Sequence, residues 1–103
     1  VVNMLTLPIK KKWFEMIKLG EKKEEYREIK PYYDKRFNFE EFPELNMKTI
    51  QHSCWVRFRN GYSKSSPTIE CSVVITKDYG KPEWGAKPNK LYYVLKILSV
   101  EEI

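Results

Sequence analysis

The spacing between apolar positions changes along this chain, and each change marks an element. Residues 2–7 alternate weakly, with Leu5 and Leu7 on one face, which predicts a short strand entering a barrel and stopping at Pro8. From Ile9 the interval lengthens. Ile9, Trp13, Met16 and Ile17 recur at helical spacing, Pro8 suits a first helical turn, and Gly20 suits a left-handed cap, so a helix is expected over 9–19. Lys10, Lys11, Lys12, Glu15 and Lys18 fall on its polar sides.

The following stretch is densely charged but carries Tyr26 and Ile29 and stops at Pro31, which predicts a strand over 24–29. Residues 32–37 read as one helical turn, and 38–47, with Pro43, as a loop. Cys54, Trp55, Val56 and Phe58 lie in a strand expected over 49–59 and closed by Asn60-Gly61, a strong turn signal. Trp13 and Trp55 sit in periodic apolar patterns and are expected in the core. Two β-rich runs, 68–78 and 91–100, read as central strands, joined by a Gly/Pro-punctuated loop over 79–88. Five or six strands with one helix near the N-terminus define an α+β or mainly-β barrel rather than a doubly wound sheet.

Composition narrows the class. A chain of 103 residues has room for a single domain, and 42% hydrophobic with 15% aromatic residues is enough for a core. The net charge of +5 favours anionic partners, and it is unevenly spread: +4 over 1–36, −2 over 37–54 and +3 over 55–103. No apolar run reaches the ~18 residues of a membrane span and no secretion signal is legible. A soluble, cytoplasmic protein is expected, with Cys54 and Cys71 as buried thiols. The chain opens Val1-Val2-Asn3, so Met4 is a candidate natural start.

The sharpest pattern is Gly20-Glu21-Lys22-Lys23-Glu24-Glu25-Tyr26-Arg27, a G-x-K-x-x-E-x-R run directly after the amphipathic helix. Gly20 allows a sharp turn out of the helix, so that Lys22 projects beside the next strand. Glu25 and Arg27, two apart, point to one face of that strand. This combination resembles the signature of the ASCH domain family. The resemblance implies a PUA-like β-barrel with the helix beside a cleft, and a role in binding RNA or a modified nucleoside. Some small members look like amidohydrolases acting on N4-acetylcytidine, and these have threonine where this chain has Glu25. The departure places binding ahead of hydrolysis, with Lys22 and Glu25 as the catalytic candidates if the domain is an enzyme.

In the binding reading, Lys22 and Arg27 contact phosphate or base and Glu25 orients Arg27 or accepts from a base amino group. Tyr32, Tyr33, Tyr79 and Trp84 fall in expected loops or turns, where aromatic faces can stack unpaired bases. Trp84 and Tyr79 are the candidates carried forward. Arg57 and Arg59, flanking Phe58, place two cations on one strand face. Other chemistry has thin support: His52, Cys54 and Cys71 do not have zinc-site spacing, and there is no phosphate-binding glycine loop or nucleophile elbow, so neither metal nor cofactor is expected. Glu83 is a spare carboxylate. Besides a small hydrolase of the same family or a ribonuclease-like activity, a third reading is a protein-interaction domain docking through residues 40–44 with Phe39 and Phe42.

Overall fold

The computed structural model describes residues 4–37 and 52–103. The order is β1 (Leu5–Pro8), α1 (Lys11–Lys18), β2 (Glu24–Glu28), α2 (Pro31–Phe37), β3 (His52–Arg59), β4 (Thr68–Tyr79) and β5 (Leu91–Glu102), with a 3-10 turn at Pro82–Trp84. The strands form one sheet in the order β1-β3-β4-β5-β2, curled into a half-barrel of mainly-β architecture. β1 runs parallel to β3 and the other neighbours are antiparallel. The docking segment weighed at residues 39–44 lies outside the described residues.

Alternation sets which side of the sheet is the core. In β4, Ile69, Cys71, Val73 and Ile75 are all buried, and the residues between them face outward. The same face receives Val56 and Phe58 from β3, Leu7 from β1 and Tyr93 and Leu95 from β5. Phe14 and Ile17 of α1 and Phe37 of α2 close over it. A register shift opposite Ser72/Val73 leaves Leu98 as an extra residue in β5. Parity therefore switches along this strand: Ile97 packs on the core before the bulge and Val100 after it, while Leu98 is exposed. On the opposite face, Tyr92, Val94 and Ala86 form a second cluster with Tyr26 packed against it.

Several expectations shift. α1 starts at Lys11 rather than at 9, because Ile9 N–H still donates to Arg59 O at 3.0 Å and Lys10 remains extended at ψ 148°. Pro8 thus ends β1 instead of opening the helix. Its other end matches the expected cap. Gly20, at φ 80°, follows Leu19, with Gly20 N–H donating to Ile17 O at 3.1 Å and Glu21 N–H to Met16 O at 2.8 Å, a Schellman closure. The helical turn after Pro31 is a full α2. Trp55 is 42% exposed, because the two-residue period that turns Cys54, Val56 and Phe58 inward puts it on the outer face. Cys54 and Cys71 are both free; Cys71 is buried and Cys54 half-buried.

Burial pushes the Cys71 thiol up to about 12 from its ordinary 9.0. Between those values the unfolded thiol releases its proton while the folded one keeps it, so stability falls as pH rises, by ~1.4 kcal/mol per pH unit. Urea denaturation across the window from about pH 9 to about pH 11 should show a shallower decline for Cys71→Ala than for the wild type; parallel pH profiles would remove the thiol as the cause.

Candidate functional site

β1 and β2 are the two edges of the sheet, and the curl brings them near each other. The gap between them is where the sequence motif lies. The Schellman turn releases the chain at Lys22, whose own N–H donates to Met16 O at 3.1 Å, and β2 begins two residues later. In β2, Glu25 stands opposite Leu95 and Arg27 opposite Tyr93, so both charged side chains leave the strand on the face of the hydrophobic core.

They survive there as a chain of opposite charges. Lys22 is 1% exposed, and its Nζ lies 3.0 Å from Glu25 Oε1. Glu25 Oε2 accepts from Arg27 Nη2 at 2.8 Å, and the same Nη2 donates to the carbonyl of Pro8, the last residue of β1, at 2.8 Å. Arg27 therefore bridges the two sheet edges. Its Nη1 reaches the Tyr33 hydroxyl at 3.5 Å, and its buried Nε has no partner.

Lys22 is held on two more sides. Nζ donates to Trp84 O at 2.5 Å and sits 4.0 Å from the centroid of the Trp13 ring. An ammonium has three donors, and here each has a destination: a carbonyl, a carboxylate and an aromatic face. Desolvation pulls the Lys22 pKa below its ordinary 10.5, with the Glu25 carboxylate opposing the shift and Arg27 and Lys12 adding to it. As pH rises between that lowered value and 10.5, the unfolded lysine holds a proton the folded one gives up, and this group favours folding more.

The loop from Gly80 to Lys90 supplies the wall facing α1. Lys81 N–H donates to the Tyr26 hydroxyl at 2.9 Å, and Lys87 N–H to the Tyr92 hydroxyl at 2.9 Å. Gly80 lies so close to Tyr26 that an added Cβ would be 2.6 Å from the ring. Gly85, at φ 100°, turns the chain against Trp13, where a Cβ would come within 3.0 Å of the indole. These contacts carry the Trp84 carbonyl onto Lys22.

Between the seam and this loop is a cleft of about 490 Å³. Glu25, Arg27, Trp13, Trp84, Tyr26, Tyr33 and Tyr92 line it, with Lys10, Lys30, Lys87 and Lys90 contributing cations. Of the residues singled out from sequence, Glu25, Arg27, Tyr33 and Trp84 face this space. Lys22 lies directly behind the lining, and Tyr79, 58% exposed at the end of β4, stands outside it. Arg57 pairs with Glu70 on the outer face, its Nη2 2.6 Å from Oε2, and Arg59 donates to Thr68 there. Glu83 is exposed and not part of the lining. Sequence reading missed the lysines of the rim and Tyr26 and Tyr92, whose rings pair at 5.7 Å. The Gly/Pro punctuation of the loop was the available signal for Lys87 and Lys90.

Fold and site together define a mainly-β half-barrel with a cationic, aromatic-walled cleft at the seam of its sheet. No family model, curated protein or solved structure matches this chain. Among the described residues, no three His, Cys, Asp or Glu side chains group as metal ligands, and no helix is long and apolar enough to cross a membrane.

Removing one member of a buried charge pair leaves the other uncompensated, at a cost of ~3 to 5 kcal/mol. Lys22→Met should therefore be strongly destabilising in urea melts. The double variant Lys22→Met/Glu25→Gln should cost clearly less than the sum of the single changes, and additive losses would mean the two side chains are not coupled.

Proposed function

We propose that this protein is an ASCH-type, PUA-like domain that binds single-stranded RNA or a modified nucleoside in the seam cleft. The observation that carries the reading is the arrangement of Glu25 and Arg27 side by side in a cleft walled by aromatic rings and rimmed by lysines. Arg27 offers only donors and Glu25 only acceptors, so the pair can read a base edge or fix a phosphate beside it. Trp84 supplies a stacking surface. Tyr79, exposed at the end of β4 outside the cleft, is a second aromatic face on which a base could stack. Lys22 acts from behind, fixing the Glu25 carboxylate and the Trp84 backbone in place.

Binding ranks above turnover on the same geometry. A general base or nucleophile must come within ~2.6–3.2 Å of the atom it attacks or deprotonates. The Lys22 amine is committed to Trp84 O and Glu25 and does not line the cleft. Incubation with N4-acetylcytidine and with labelled RNA, followed by chromatography, should return both substrates unchanged.

Fluorescence anisotropy with short single-stranded RNAs tests the reading directly. Affinity should fall with salt, and the slope of log K against log salt should become shallower by ~0.7 for each of Lys10 and Lys87 changed to alanine. Absence of binding at low salt would sink the proposal.

A further inference from the structure

Arg27 has donors to spare. Nη2 is occupied by Glu25 and the Pro8 carbonyl, Nη1 has only a long contact to Tyr33, and Nε has none. Among the described residues, Nε is the one buried side-chain nitrogen or oxygen without a partner. Nε is shielded from solvent, so an acceptor entering the cleft would be met by the underused Nη1, and the side chain borders the cleft.

The charges around it are also unbalanced. Five cations line the cleft against two carboxylates, Glu25 and Glu28, an excess of three. Glu28 lies 3.7 Å from Lys90, and Glu25 is flanked by Lys22 and Arg27. Lys10, Lys30 and Lys87 are left with no ion pair among the described residues. A single-stranded backbone passing through presents one charge per phosphodiester and is usually followed by a groove spanning ~4–16 nucleotides. Here the space is about 490 Å³. That is within the ~300–1,000 Å³ of sites that enclose one small molecule.

We infer that the cleft takes a nucleotide bearing a terminal phosphate monoester, with the phosphate against Arg27, charge supplied by Lys10, Lys30 and Lys87, and the base toward Trp84. This rests on the nucleotide-binding reading above and deepens it. The chemistry is shared by a free nucleoside 5′-monophosphate and by the 5′-phosphorylated end of an RNA.

The test is calorimetric titration of the full chain with the common ribonucleosides, their 5′-monophosphates, and one short RNA carrying either a 5′-hydroxyl or a 5′-phosphate. At neutral pH the best monophosphate should bind at least about tenfold tighter than its nucleoside. Because the second ionisation of a phosphate monoester lies near pH ~6, this preference should shrink between about pH 7.5 and about pH 5. A matching preference for the 5′-phosphorylated RNA identifies an RNA end as the source; preference confined to monophosphates identifies a free nucleotide, and both support the inference. Lys10→Ala/Lys87→Ala, which alters only exposed rim residues, should reduce the preference several-fold without moving the thermal midpoint. Equal affinity with and without the terminal phosphate, or a preference indifferent to pH, overturns the inference; RNA binding that persists in that case leaves the broader reading standing. No binding of any probe removes both.

Discussion

The buried run of charge from Lys22 through Glu25 to Arg27 is the constraint on which the rest of the site depends. Each ion is expensive to remove from water, and none would be tolerated alone on the core face of a strand. Together they satisfy one another, and the ends of the run reach beyond it: Lys22 holds the Trp84 carbonyl, and Arg27 holds the carbonyl of Pro8. Three separate pieces of chain, the β1 end, the β2 edge and the loop before β5, are fixed by this one network. It locates the cleft as well as charging it.

A half-barrel has a seam, and an exposed seam carries unpaired strand edges. Here Ala86 of the Gly80–Lys90 loop packs with Tyr26 of β2, and Arg27 of β2 reaches across the seam to the Pro8 carbonyl at the end of β1. The loop is secured mainly through tyrosine: the Tyr26 and Tyr92 hydroxyls accept from Lys81 and Lys87 N–H groups, and their rings pack together beneath Ala86. Both tyrosines thus serve packing on one side and loop geometry on the other. What stays open is a concave space whose floor is ionic, whose walls are aromatic and whose rim is basic.

Much of this was legible in the residue order. The β4 alternation is written directly as Ile69, Cys71, Val73 and Ile75, and the Gly20 cap follows from the need for a left-handed residue after α1. The motif's spacing put Glu25 and Arg27 on one strand face, and they share it. Other features depended on partners remote in sequence. Trp55 sits in a periodic apolar pattern that pointed to the core, but the pairing of β3 with β4 turns Cys54, Val56 and Phe58 inward and leaves it on the outer face. Lys22 looked like a ligand contact; nothing local indicates that Trp84, 62 residues away, would supply its acceptor.

The sequence by itself determined most element types, the inward set of β4 and the presence of an unusual charge cluster after the first helix. Those are properties of local periodicity and turn chemistry, which act over a few residues. Tertiary structure decided which face of the cluster meets solvent, that Arg27 spans the sheet edges, and that lysines from distant segments gather at one rim. Their positions depend on strand order and sheet curl, which are fixed by contacts between residues far apart in the chain.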